Sequence, residues 1–221
     1  MNRPVVYTAL ATAVCLVGGM IAGLALGTLV HGLPFHAPEQ TMVLLSSIPA
    51  LAGVFGGGAL WGYLTAQIHH FPNRGRFAVA GSIGYGLAFV SAVILLSLLE
   101  RLFVEQSRFP GLPIHIIFTL LFVPAAFLVA TVGAAAILLA SPARARWSRS
   151  ALVVGLVAAL TFLVVDLALD AAGWRVGAPH AAERATMLTV SFVSSAVAAL
   201  SAGALLGRIL SKPPAQTPPA A

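Results

Sequence analysis

The chain has 221 residues, of which 59% are hydrophobic and only 8% are charged. Because a soluble domain carries about a quarter charged residues, this composition excludes an ordinary water-soluble protein and predicts that lipid is the main solvent. The formal net charge of +6 comes from scattered basic residues without a basic stripe or nucleic-acid-binding motif, which excludes nucleic acid as a partner.

Six apolar runs are long enough to cross a bilayer, whose hydrocarbon core needs roughly 20 helical residues. In chain order they cover Val5–Val30, Thr41–Ile68, Phe77–Leu99, Pro113–Ala140, Ala151–Ala172 and Ala185–Leu210. The first run is longer than the apolar core of a cleaved signal peptide, so we expect a retained helix. Backbone amides inside lipid must be paired within their own segment, which predicts an all-α, polytopic membrane protein with six transmembrane helices.

The basic residues predict the orientation of these helices. With the N-terminus in the cytoplasm of an inner-membrane protein, eight basic residues lie inside and four lie outside. The inner residues are Arg3, Arg74, Arg76, Arg144, Arg146, Arg149, Arg208 and Lys212. The outer residues are Arg101, Arg108, Arg175 and Arg184. All six acidic residues then fall on the outer side, in agreement with the positive-inside rule. Aromatic residues near the predicted boundaries, among them Trp61 and Trp174, fit interfacial belts. Both termini are therefore predicted to be cytoplasmic.

The chain is predicted to form one bundle over residues 1–210, followed by a disordered cytoplasmic tail over 211–221. That tail, SKPPAQTPPAA, is rich in proline and alanine and has nothing to bury. Within the bundle, three helical hairpins are expected at about 5–70, 77–140 and 150–210, with an incomplete internal repeat. HAPEQ from His36 aligns with HAAER from His180, and GALWG from Gly58 aligns with GALLG from Gly203. The middle hairpin matches more loosely.

Glycines at a spacing of four predict close helix packing, because small residues let helix backbones approach each other in lipid. These glycines serve either packing within the chain or docking of another membrane subunit or a second copy. They are Gly19, Gly23, Gly27, Gly53, Gly57, Gly58, Gly62, Gly203 and Gly207.

Histidine and glutamate stand three residues apart in both copies of the repeated phrase, at His36 and Glu39 and at His180 and Glu183. On a helix such a pair shares one face and could bind a divalent metal ion or relay protons. His115, at the start of the fourth run, would be a third contributor, and His31 a fourth. The pattern favours helix-start chemistry over such a site, since an acidic side chain in a first turn stabilises the positive end of the helix. Contacts with a ligand or a partner are a third interpretation.

Asp166 and Asp170 lie four residues apart on one face of the fifth run. Asp166 follows Arg149 by 17 positions, which corresponds to roughly 25 Å of helix and places it near the outer edge of the hydrocarbon. A carboxylate inside a membrane span is a functional candidate. The alternative is that it pairs with Arg175 or Arg184 at the interface.

The sequence predicts a membrane protein that is not an enzyme. GSIG at 81–84 lacks the flanking order of an intramembrane serine protease, and no histidine is predicted at mid-membrane depth. The loops are too short for a separate catalytic domain. We expect a small-solute or ion transporter, or the membrane subunit of one, with a site toward the outer face. The alternative is a non-catalytic scaffold subunit that packs through its glycine-lined faces. A divalent metal ion is the single cofactor candidate.

Overall fold

The computed structural model describes residues 2–31, 39–101, 114–142, 147–174 and 180–212. It describes the backbone but not the side chains of residues 31, 39–44, 46, 100, 114, 115, 117, 118 and 180–188. The predicted tail and His36 lie outside these residues, apart from positions 211 and 212. In the part of the chain so described, all regular secondary structure is helical.

The first span combines helix α1 (Arg3–Thr12), a π-helical turn (Ala13–Val17) and helix α2 (Gly18–His31). Five further helices follow, each of which contributes one span: α3 (Glu39–Ile68), α4 (Arg74–Glu100), α5 (Ile114–Ala140), α6 (Trp147–Ala171) and α7 (His180–Leu210). Six helices in these ranges are long and apolar enough to cross a membrane. Their positions agree with the six apolar runs in the sequence.

The outer surface of the bundle is apolar over the described candidate spans, as contact with lipid would require. Leu29 is 68% exposed, Val14 67% and Val164 64%, and each lies within a candidate span. The buried core lies inside the ring of helices and contains Trp61, Phe77 and Phe162. Apolar side chains on both faces are typical of a helix that packs on one side and meets lipid on the other.

The six spans form a closed ring. The first span packs against α3, each later helix packs against the next in the chain, and α7 returns to pack against α1. Each span therefore contacts two neighbours in the ring, and the three predicted hairpins do not stand apart as separate units. The hairpin organisation stays a prediction.

Glycines line several of these helix crossings. A methyl group built on Gly23 would lie 2.8 Å from the carbonyl oxygen of Pro49 in α3, and one built on Gly203 would lie 2.5 Å from the hydroxyl of Thr12 in α1. Gly58 and Gly62 pack against the first half of α4, while Gly203 and Gly207 pack against α1. The two aligned glycine pairs thus each contact the span that follows in the ring, as a repeat of the two hairpins would produce.

Candidate functional site

Asp166 lies inside the bundle, on the face of α6 that meets α5 and α7. Its side chain is only 1% exposed. The hydroxyl of Thr119 in α5 donates a hydrogen bond to one carboxylate oxygen, Oδ2. The hydroxyl of Ser194 in α7 donates to the other, Oδ1, over 3.4 Å. Three helices therefore meet at one buried carboxylate.

The chemistry of these groups suits the binding of a small cation or a proton. Burying an ionisable group among apolar side chains costs free energy unless hydrogen bonds compensate it. An ionised carboxylate accepts hydrogen bonds, and hydroxyls are donors that also retain oxygen lone pairs. Asp166, Thr119 and Ser194 can therefore present oxygen ligands to a cation, or stabilise the carboxylate after a proton leaves. We refer to these three residues as the Asp166 cluster.

Two phenylalanines separate the Asp166 cluster from the centre of the bundle. Phe162 lies one helical turn before Asp166 in α6, and Phe122 lies one turn after Thr119 in α5. Both rings lie on the side of the cluster that faces the end of the bundle where the chain begins. Their rings stack with centroids 6.2 Å apart and an interplanar angle of 19°. Both rings line a cavity at the centre of the bundle. The carboxylate is thus one turn away from an internal space.

A second polar group lies on the opposite wall of this cavity, around the π-helical turn. The indole nitrogen Nε1 of Trp61 donates to the Thr12 hydroxyl over 2.9 Å, and that hydroxyl donates to the carbonyl of Thr8 over 2.7 Å. The Tyr85 hydroxyl donates to the carbonyl of Leu16 over 3.0 Å. These bonds connect the first span to α3 and α4 through side chains, and π-helical turns of this kind often occur at functional sites.

Trp61 corrects one sequence-based prediction. It was expected in an interfacial aromatic belt, but its side chain is 2% exposed and lies in the core. Trp174 is 53% exposed, as an interfacial residue should be. The indole of Trp61 can be buried because Thr12 supplies an acceptor for its only polar hydrogen.

Most of the predicted histidine and glutamate candidates cannot be placed as side chains. Glu39 begins α3, His115 is the second residue of α5, and His180 and Glu183 lie in the first turn of α7. The side chains of these four residues are outside the described part of the structure, as is all of His36. Helix-start chemistry and a metal or proton site both stay predictions for them.

The predicted pairing of Asp166 with an arginine also involves side chains outside the described residues. Asp170 lies one turn further along α6 and is half-buried. The side chains of Arg175 and Arg184 fall outside the described residues. Among the side chains that are described, no group of three or more histidine, cysteine, aspartate or glutamate residues could hold a metal ion.

His69 lies at the N-terminal end of the bundle, just after α3, and contacts the first span. Its Nε2 lies 3.0 Å from the Thr8 hydroxyl, which itself donates to the carbonyl of Pro4. Partial burial lowers the pKa of His69 below its ordinary value of 6.5, and charge repulsion from His70 lowers it further.

The lowered pKa of His69 predicts a pH dependence of stability. Since the folded state binds this proton more weakly than the unfolded state, the contribution of His69 is present above about pH 6.5 and is lost as the pH falls through the folded-state pKa. Melting temperatures of the purified protein should therefore fall on acidification. His69→Gln should remove part of that fall, whereas His70→Asn, at an exposed position with a φ of 55°, should reduce it less. An unchanged pH profile in His69→Gln would contradict this assignment.

No protein-family model, curated protein or solved structure matches the chain. The geometry of the Asp166 cluster and of the cavity beside it is therefore the basis on which a function can be proposed.

Proposed function

We propose that the chain is a multi-pass membrane transporter for a small solute or ion, without enzymatic activity, in which Asp166 binds and releases the coupling ion. The observation that carries this proposal is the burial of Asp166 between two hydroxyl donors from neighbouring helices. Ionisable side chains inside membrane spans are rare, and they mark ion pathways and proton relays. The cavity next to the carboxylate supplies a place for the solute.

The position of the cluster supports coupling between ion binding and helix movement. Asp166 joins α6 to α5 through Thr119 and to α7 through Ser194. A proton or cation that binds there changes the charge that these hydroxyls face, and therefore the free energy of the contact between three helices. An ion can shift a conformational equilibrium only by binding two states unequally, and a site shared by three helices meets that requirement when the helices move.

Solid-supported-membrane electrometry tests the proposal without knowledge of the solute. The chain is reconstituted into liposomes, and the charge displaced by a sudden jump in proton or Na⁺ concentration is measured. The wild-type chain should give a transient current in at least one of the two jumps, and Asp166→Asn should lose it because the amide cannot carry the negative charge.

The matched control is Ser201→Ala. Ser201 makes a hydroxyl contact of 3.1 Å with Thr161 across the same pair of helices, about two turns from Ser194. This variant should keep the current, since it removes a hydroxyl from the interface but not from the Asp166 cluster. A full current in Asp166→Asn, or none in the wild type, would refute the proposed role of Asp166.

We further propose that the chain lies in the inner membrane with both termini in the cytoplasm. Basic residues are in excess at the end of the bundle where the chain begins, which supports this orientation. Arg3, Arg74, Arg149 and Arg208 lie at or near helix ends on that side. Reporter fusions in the connection that contains Arg144 should report the cytoplasm. A periplasmic signal there would reverse the orientation.

The scaffold alternative would be supported by a stripe of small residues on the outer surface. Gly19, Gly23, Gly53 and Gly57 instead pack against each other's helices inside the chain. These four glycines are therefore used for packing within the chain, and association with other subunits or a second copy through other faces stays a prediction.

A further inference from the structure

The cavity at the centre of the ring has a volume of about 190 Å³. Side chains from all six spans line it, including Met20 from the first span, Trp61 from α3 and Phe89 from α4. The remaining wall is mostly alanine, valine and phenylalanine from α5, α6 and α7. A space of this size in the middle of a helix bundle is large enough to hold a molecule.

The volume indicates the size of that molecule. An engineered apolar cavity of about 150 Å³ in a soluble protein stays free of water and binds benzene or xenon. The cavity here is somewhat larger, so one aromatic ring with a small substituent would fill it. Five aromatic side chains contribute to its wall, and aromatic rings pack favourably against one another in offset or edge-to-face arrangements. They are Trp61, Tyr85, Phe89, Phe122 and Phe162.

The polar groups on the wall do not favour a polar ligand. The hydrogens of Trp61 Nε1, the Thr12 hydroxyl and the Tyr85 hydroxyl are all donated to protein acceptors, and the remaining polar side chain on the described wall is that of Ser195. A buried water or polar solute needs about two to four hydrogen-bonding partners. With these three donors committed, a polar molecule in the cavity would give up its bonds to water for few in return.

The cavity wall also reaches the outer surface of the bundle. Val93 of α4 lines the cavity and is 45% exposed, and Met20 of α2 is half-buried. The outer surface at this level is apolar, with Ile94 56% exposed beside Val93. The wall between the cavity and the apolar surface is therefore one side chain thick at Val93, which gives a ligand dissolved in the bilayer a short path to the cavity.

We propose that the central cavity binds a small apolar molecule with the bulk of a single aromatic ring, which enters from the hydrocarbon phase of the membrane. This inference rests on the proposed transport function, because it names the chemical class of the solute. The binding site and the Asp166 cluster are separate groups of side chains, joined through Phe122 and Phe162, and each can be removed without the other.

Bromobenzene is a suitable probe, because bromine quenches tryptophan fluorescence at short range and Trp61 forms part of the wall. Trp147→Phe and Trp174→Phe leave Trp61 as the single tryptophan, and both replaced residues are exposed. In lipid nanodiscs this variant should show saturable quenching by bromobenzene. Ala130→Phe, which fills the cavity from α5, should raise the half-saturating concentration at least tenfold.

The matched control is Ala52→Phe, which adds the same ring on an exposed face of α3 and should leave the quenching unchanged. If Ala130→Phe does not yield a folded, monodisperse protein, Ala199→Leu adds less bulk to the same wall and should weaken binding in the same direction. Quenching that does not saturate, or that is equal in the filled and control variants, would overturn the proposal.

Two further measurements separate the alternatives. Phospholipid with brominated acyl chains should quench Trp61 weakly. Strong quenching that benzene, which carries no quenching atom, does not relieve would show that a lipid chain occupies the cavity, and would overturn the proposal of a free small molecule. Asp166→Asn should keep the saturable bromobenzene quenching while losing the ion-jump current. Loss of the current in Asp166→Asn thus tests the transport function, whereas loss of quenching in Ala130→Phe tests the ligand class.

Discussion

Gly57→Ala should lower the free energy of unfolding by about 3 kcal/mol, whereas Gly56→Ala, one position earlier, should leave it unchanged or slightly raised. A methyl group on Gly57 would overlap the carbonyl oxygen of Cys15 and lie 3.2 Å from the Cα of Gly19. Both neighbours are backbone atoms of the first span, which cannot turn aside as a flexible side chain can. A methyl group on Gly56 meets nothing within 4 Å.

Both variants replace glycine by alanine in the same helix, so the change in helix propensity contributes equally to the two free energies of unfolding. Unfolding in mixed detergent micelles, followed by circular dichroism, measures the two free energies. Equal stability of Gly57→Ala and the wild type would mean that the backbones of the first span and α3 lie further apart than the contacts of Gly57 require, and would contradict this side of the ring.

Thr119→Val should change the ion concentration for half-maximal charge displacement by roughly tenfold to a hundredfold. The substitution keeps the shape of the side chain but removes the hydroxyl that donates to Asp166. A hydrogen bond to a charged group contributes about 1.5–3 kcal/mol, and each 1.4 kcal/mol corresponds to a factor of ten. Ser194→Ala should have a smaller effect in the same direction, because its bond to Asp166 is longer at 3.4 Å.

The concentration jump that produces the current, of protons or of Na⁺, identifies the ion. If the ion is Na⁺, loss of a hydroxyl oxygen weakens binding, and a higher concentration is needed. Ser201→Ala should give the wild-type value. A wild-type value in Thr119→Val as well would remove Thr119 from the site.

The six long apolar helices could be predicted from the sequence, because a segment that crosses lipid needs about 20 apolar residues in a row. The predicted run Thr41–Ile68 and the helix Glu39–Ile68 end at the same residue. Pro49 and Pro124 do not interrupt their helices, as is common in membrane spans. The closure of the ring between α7 and α1 could not be predicted, because Gly203 and Gly207 indicate close packing without indicating the partner helix.

The Asp166 cluster could be predicted only in part. Asp166 is conspicuous as a carboxylate in an apolar run, but Thr119 and Ser194 are ordinary hydroxyl residues in the sequence. A hydroxyl in a helix can bond to its own preceding turn, as Ser97 does with the carbonyl of Val93, so the residue type alone gives no sign of a cross-helix bond. Trp61 was misplaced for a related reason, since hydropathy does not show toward which side of a helix an indole points.

Infrared difference spectroscopy on the reconstituted chain measures the ion-binding role of Asp166 most directly. An ion jump that reaches Asp166 should produce a carboxyl band change in the wild type, which should be absent in Asp166→Asn and altered in frequency in Thr119→Val. The same band change in Asp166→Asn would assign the ion to another carboxylate. A wild-type spectrum without any carboxyl change would contradict ion binding in this bundle.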